Sequence, residues 1–345
     1  MHIRSHVVHP AATLFVADIL VNHPFPMTAA VHSRRERVLL FLAFASIYLI
    51  WGSTYLAIRF AVESIPPLVV AGLRHLTAGI VMAVWAWMRG YRPTAREVKS
   101  CVVLAVFFFL MGHGSLHWAE TRVPSGLSAL LVATEPILLA LMGLFISHDN
   151  KFTFLNVSGL AIGLMGVALL STDKAALGGS YVGAVVILLG TVAWCFGMLY
   201  SRKAEMPRDP IARSAMPMLF GSVMLLAAAA VSGEISSLTR AAFTLKATGG
   251  LLYLIVFGSI VAFTAYTWLL ERTSPVFLAT HTYVNPIVAV LLGWLLAGES
   301  VNGRVALAGA MVVLSVVLVS LPSREVPSSP FSVLGEDEER GAAAD

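Results

Sequence analysis

Carboxylates, one arginine and several histidines are the residues in this sequence that could do chemistry, and they stand inside long apolar runs. Glu135 and Asn285 each directly precede a proline, Pro136 and Pro286. A carboxylate deep in an apolar run costs several kcal/mol if ionised and unpaired, so it faces the interior, with a basic partner or a proton. Glu135 reads either as a proton carrier or substrate contact, or as a structural hydrogen bond. Asn285 reads as an interhelical bridge or as a pathway residue. Arg74, followed by His75, lies equally deep in another run. A guanidinium there pairs with an acid or binds an anionic group, and Glu135 is the candidate acid. Arg59, at the end of the first run, is expected to snorkel to the interface.

His113, His117 and Glu120 have the i, i+4, i+7 spacing of one helix face. Two histidines four apart can chelate zinc. Here the acid follows the histidines instead of standing between them, so a polar stripe facing a pathway is preferred and no metal is expected. His281, four residues before Asn285, is a satisfied core histidine or a group that protonates near neutral pH. Tyr283 stands between them. Trp51 opens the run Trp-Gly-Ser-Thr-Tyr, which is polar enough for an interior face. The two cysteines, Cys101 and Cys195, have neither zinc spacing nor a disulfide framework. No Walker motif is present, so no nucleotide cofactor is expected.

The elements that must hold these groups are apolar. Of 345 residues, 58% are hydrophobic and 12% charged, where a soluble domain carries about 25% charged residues. Mean hydropathy is +0.82. The net charge of +4 sits in short clusters between apolar blocks, a pattern of membrane topology and not of nucleic-acid binding. A hydrocarbon core of about 30 Å takes roughly 20 helical residues. Blocks of that length run over Val38–Ile58, Pro67–Met88, Ser100–Trp118, Ser125–Ser147, Thr153–Ser171, Tyr181–Ser201, Ile211–Ser232, Ala247–Leu270, Pro275–Ala297 and Gly303–Leu321. The expected fold is therefore all-α, with ten membrane spans. Residues 1–33 read as a disordered N-terminal tail without a signal-peptide pattern. Met27, shortly before Arg34-Arg35-Glu36-Arg37, is a candidate start. The Pro/Ser-rich and then acidic residues 323–345 read as a disordered cytoplasmic tail. Counting Lys and Arg by alternate loops puts fourteen with the termini and six opposite, which favours both termini in the cytoplasm.

An internal repeat organises these blocks. A shift of 150 residues brings Phe107 onto Phe257, Trp118 onto Trp268, Arg122 onto Arg272, Pro136-Ile137 onto Pro286-Ile287 and Gly159 onto Gly309. A looser echo links Trp51 to Trp194. The repeats are expected over 34–171 and 172–322. Five spans per half is odd, so the second half must enter the membrane inverted. Inverted repeats belong to secondary transporters, whose halves exchange conformations around a central site. Pro136 and Pro286 are both expected to kink their helices near the midplane, which makes those helices the first choice for lining a pathway.

The chain resembles the drug/metabolite transporter superfamily, specifically its ten-span EamA-type members, and looks closest to their YedA-like exporters. The resemblance rests on Ile50-Trp51-Gly52-Ser53-Thr54-Tyr55, on Glu63-Ser64 with Pro66-Pro67, and on Ala71-Gly72-Leu73-Arg74. It continues through Ala119-Glu120, Val123-Pro124-Ser125-Gly126, Val132-Ala133-Thr134, Tyr283-Val284-Asn285-Pro286 and Gly298-Glu299. It implies an inner-membrane protein with a central cavity, cytoplasmic termini, and export or exchange of small metabolites, amino acids or drug-like compounds. His113 and His117 lie outside that motif and the family does not require an acid at position 135, so a proton role for Glu135 is a local reading. The expected partners are the bilayer, a small solute, protons or a counter-transported metabolite, and a second copy in a homodimer. The rival readings are a membrane-embedded lipid-modifying enzyme and a non-transporting scaffold or receptor.

Overall fold

Hydrocarbon offers the backbone no hydrogen bonds, so an apolar span satisfies its own amides as a helix. In the computed structural model every regular element among the described residues is helical. The structure describes residues 34–146, 154–171, 180–201, 203–270, 272–273, 278 and 281–320. The two expected tails lie outside the described residues, as does the start of the block expected from Pro275. Among the described residues six rods are long and apolar enough to cross a membrane: Val38–Val62, Pro67–Met88, Ala95–Glu120, Tyr181–Ser201, Pro210–Val231 and Leu245–Leu269. Shorter apolar helices at Ser125–Leu139, Val157–Leu169, Val284–Ala297 and Gly303–Ser315 occupy the other expected blocks.

Three rods change register on the way through. The first is α1 (Arg34–Ala45), a π-helical turn at Ser46–Ile50, and α2 (Trp51–Val62). The second rod is α3 (Pro67–Met88). The third is α4 (Ala95–Leu104), a π segment at Ala105–His113, and α5 (Gly114–Glu120). Next come α6 (Ser125–Val132), α7 (Glu135–Ile146), α8 (Phe154–Ser171), α9 (Tyr181–Ser201) and α10 (Pro210–Val231). The chain then runs through α11 (Leu245–Tyr253), a π segment at Leu254–Val261, α12 (Ala262–Leu270), α13 (His281–Ala297) and α14 (Gly303–Ser320). Segments of π-helix release carbonyls from the ordinary ladder and occur often at functional sites.

The local signals recur at the offsets read from sequence. Helices α3 and α10 are each 22 residues long, and both open on a proline where the missing N–H costs nothing. Both stop at a glycine with positive φ, Gly90 at 90° and Gly233 at 80°. At the 150-residue offset, Thr94 caps α4 by accepting from the Glu97 amide, and Thr244 caps α11 by accepting from the Ala247 amide. The π segments at Ala105–His113 and Leu254–Val261 follow at matching positions. The Arg122 guanidinium lies 4.0 Å from the Trp118 ring centre, and Arg272 lies 4.3 Å from that of Trp268.

The fourth block corrects an expectation. Ser125–Ser147 was expected as one helix kinked by Pro136, but the helix stops at Val132 and restarts at Glu135. Thr134 turns in by donating its hydroxyl to the Leu131 carbonyl at 2.7 Å. Pro136 thus sits in the first turn of a new helix, where it breaks nothing. Pro286, its partner in the repeat, lies inside a continuous helix. The two prolines are matched in sequence but not in what they do to the backbone.

Helices from the two halves pair extensively, α3 along α10 and α8 along α14. Helix α2 packs on α11, while α9 packs on the π segment that follows α4. Glycines permit the closest approaches. A Cβ at Gly72 would lie 2.6 Å from the Leu226 side chain, and one at Gly197 would lie 2.6 Å from Phe108. The exposed Trp85 and Trp87, at 51% and 61%, face outward at the end of α3 as interfacial anchors do.

Candidate functional site

A cavity of about 90 Å³ lies among α2, α3, the third rod, the α6–α7 break, α9 and α13. One water needs roughly 10–15 Å³ on a comparable measure, so the space holds several waters or a small solute. Six of the residues singled out from sequence line it: Trp51, Arg74, Glu135, His281, Asn285 and Pro286. Three others do not. His117 and Glu120 are fully buried outside the lining, and Pro136 is buried behind Glu135. The side chain of Tyr283 lies outside the described residues.

Each lining side chain is held by its own local cause. Trp51 starts α2 directly after the π turn and donates its indole N–H to the Gly258 carbonyl, 3.2 Å away. Its ring packs edge-on against His281, with centroids 5.4 Å apart, and tilted against Tyr266 at 4.9 Å. His281 donates Nδ1–H to the Leu278 carbonyl at 2.9 Å, which leaves Nε2 as an acceptor. The amide orientation that satisfies Asn285 points its nitrogen at the carbonyls of His281, Tyr48 and Ile47, at 3.2, 3.0 and 3.2 Å. Asn285 thus ties α13 to carbonyls of the first π turn. Gly52 lets the two elements meet, since a Cβ there would lie 2.7 Å from that of Val288.

Arg74 is the strongest charge in the wall and is 2% exposed. Its Nε donates to the Ser259 hydroxyl at 2.8 Å, across the boundary between the halves. Its Nη1 is buried without a hydrogen-bond partner. The expected pairing with Glu135 is not made. The ion pairs among the described residues stand at the ends of the rods, at Arg89–Asp209, Arg96–Glu205 and Lys246–Glu63. Glu120, at the end of α5, has both carboxyl oxygens buried and without hydrogen-bond partners. Glu135 is 3% exposed, and its Oε1 also lacks a partner. The break at Ala133–Thr134 separates α6 from α7 and presents Glu135 at the head of α7 beside the cavity.

The His113, His117, Glu120 stripe is split by the packing. His113 lines the cavity, whereas His117 donates Nδ1–H to the His113 carbonyl at 2.7 Å and points into the core. His75, which the sequence showed only as the neighbour of Arg74, packs at a tilt against His113 at 4.6 Å and edge-on against Phe109 at 4.7 Å. Among the described residues no group of His, Cys, Asp and Glu is arranged to hold a metal ion. Arg59 donates to the Glu120 carbonyl at 2.6 Å and closes the C-terminal end of α5. Ser259 was missed, although a hydroxyl inside the apolar run Leu254–Val261 was a signal for it.

Several motif residues prove to be fasteners between the halves. Glu299 accepts from the Ser125 amide and hydroxyl, both at 2.8 Å, and from the Gly126 amide at 3.1 Å. Ser64 donates to the Ala242 carbonyl at 2.7 Å, beside the 2.7 Å Lys246–Glu63 pair. Glu234 accepts from the amides of Leu68 and Val69 at the start of α3.

Comparison with known proteins agrees with this architecture. The uncharacterized inner membrane transporter YedA of Escherichia coli K12 is 38% identical over 299 residues, covering 86% of this chain and 95% of its own. The protein PecM of Dickeya dadantii is 26% identical, over 82% of this chain and 93% of its own. A solved crystal structure at 21% identity superposes with a TM-score of 0.58, over 84% of this chain and 99% of its own, and shares the fold. The model of the EamA-like transporter family matches twice, at residues 38–172 and 181–321, so the chain belongs to the EamA-like transporter family.

Proposed function

We propose that the chain is a secondary transporter of a small solute, built of ten spans in two inverted five-helix repeats that work by alternating access. The cavity carries this reading. Its walls come from both repeats: α2, α3 and the α6–α7 break from the first, α9 and α13 from the second. The pairings between halves support a pseudo-two-fold axis through it. Helix α3 faces its counterpart α10, α8 faces α14, and the contact of α2 with α11 is repeated by that of α9 with the π segment that follows α4. Even the end fasteners recur: Lys246–Glu63 on one side corresponds to Arg96–Glu205 on the other. An odd number of spans per half makes such an axis lie in the membrane plane, the arrangement of inverted-repeat transporters. Two halves that are nearly alike can trade conformations, and a site between them then opens to either side.

The distribution of Lys and Arg supports cytoplasmic termini, and the name of the E. coli relative supports the inner membrane. Within the site, Trp51, Arg74, Glu135, His281, Asn285 and Pro286 form the solute pathway. Glu135 carries a proton or touches the solute, and export is the direction assigned. Purified protein in proteoliposomes, assayed against a panel of amino acids and amphiphilic drugs, tests the reading. Saturable flux of an unchanged solute supports it. Absence of flux for every solute, from protein shown to be folded, overturns it.

A further inference from the structure

Arg74 places a guanidinium inside an apolar span, and the wall around it is arranged as for a ligand. The guanidinium is 2% exposed, borders the cavity, and has no acid within ion-pair distance among the described residues. Its Nε is committed to Ser259 at 2.8 Å, which fixes the plane of the group and leaves the Nη edge for another partner. Nη1 is buried without an acceptor. Gly258 lets Nη2 pack close against the backbone, since a Cβ there would lie 2.9 Å from it and 2.9 Å from the Thr54 methyl group, so the partner must come from the cavity side. The carbonyl of Gly258 is itself held by the Trp51 indole at 3.2 Å. A buried, oriented and unpaired guanidinium calls for a planar anion that accepts two parallel N–H bonds. The remainder of the cavity is walled by rings, with Trp51 against His281 on one side and Trp194 against His113 on the other, at 5.4 and 5.6 Å.

We propose that the solute is a small organic carboxylate, its carboxylate held by Arg74 across from Ser259 and its apolar body between the Trp51 and Trp194 rings. This rests on the transport reading and narrows it to a substrate class. The space of about 90 Å³ is below the roughly 150 Å³ that encloses a benzene. It takes the head group and a few carbons as it stands, and a phenyl-sized body needs the halves to part. Ser259 comes from the second half and Arg74 from the first, so a carboxylate on Arg74 would sit at the moving seam.

The test uses full-length protein in detergent, with butyrate and phenylacetate as probes beside their amides and the corresponding primary amines. Binding is read by calorimetry and flux by proteoliposomes. The carboxylates are expected to bind saturably, and the amides and amines roughly 10- to 100-fold more weakly, the range for losing a charged hydrogen bond. Arg74→Gln removes the preference for carboxylate, while Arg74→Lys keeps the charge without the fork and falls between. Ser259→Ala, a smaller change in case the arginine variants do not fold, weakens the carboxylates and leaves the amides as they were. Equal binding of acid and amide, or wild-type carboxylate binding by a folded Arg74→Gln, overturns the assignment. Flux of amines or neutral solutes without flux of carboxylates also overturns it and leaves the transport reading standing. Carboxylate binding dependent on Arg74 with no flux of any solute keeps the site and removes the transporter.

Discussion

Replacement of Glu299 by alanine is expected to loosen the junction between α6 and α13 by a calculable amount. The carboxylate accepts three hydrogen bonds, from the Ser125 amide and hydroxyl and from the Gly126 amide, at 2.8, 2.8 and 3.1 Å. Two of these donors are the leading amides of α6, which have no partner inside their own helix. A hydrogen bond to a charged group contributes about 1.5–3 kcal/mol and a helix cap about 1 kcal/mol. Glu299 is half-buried, so the lower figures apply, and E299A should cost about 2–3 kcal/mol. At about 2 °C per kcal/mol for a chain of this size, the unfolding midpoint falls by about 4–6 °C. Cys101 and Cys195 are free and buried, so a fluorogenic thiol dye reads unfolding directly in detergent. E299Q keeps one acceptor but turns an amide N–H₂ toward a donor, and should lose about half as much. Gly293 backs the same carboxylate, where a Cβ would lie 2.5 Å from Oε2, so G293A should resemble E299A and add little to it in the double variant. An E299A midpoint within about 1 °C of the wild type would refute the clamp.

Four further outcomes are expected. T94A and T244A, which remove matched caps from α4 and α11, should each cost about 1 kcal/mol in the same thiol assay, T94A more because its capping box with Glu97 is complete. G52V should prevent folding or lower the midpoint by more than any cap variant, because a Cβ at Gly52 already meets Val288 at 2.7 Å and the Asn285 carbonyl at 3.2 Å. N285L should cost about 1–3 kcal/mol by leaving the carbonyls of Ile47 and Tyr48 without their donor, with N285Q unable to restore it. E135Q should remove pH dependence from solute exchange in proteoliposomes while the thiol midpoint stays near that of the wild type; an unchanged pH profile would reject Glu135 as the proton carrier.

Much of this molecule was legible because the deciding physics is local. Pro67–Met88 and Tyr181–Ser201 were bounded correctly from sequence, since an apolar run of membrane length ends where charge, proline or glycine begins. The repeat was equally visible, because Trp118 with Arg122 returns as Trp268 with Arg272, pairs made by residues four positions apart. The break before Pro136 was harder to place. A proline marks a disturbance but does not say whether it lies inside a helix, as Pro286 does, or begins one.

The acids and bases show where local reading stops. By itself the sequence determined an all-helical membrane chain, its internal repeat, and a set of polar residues too costly to bury without purpose. It also singled out Trp51, Arg74, Glu135, His281, Asn285 and Pro286, which line one cavity. Only the tertiary structure decided who meets whom. Arg74 takes Ser259, 185 positions away, in place of Glu135, and Glu299 reaches back 174 positions to Ser125. His113 turns to the cavity while His117, one turn on, is fully buried outside it. Hydrophobic length is a property of a segment, whereas a hydrogen bond between halves depends on how two helices cross. That crossing is set by close approaches such as Gly52 on Val288 and Gly258 on Arg74, which no single segment contains.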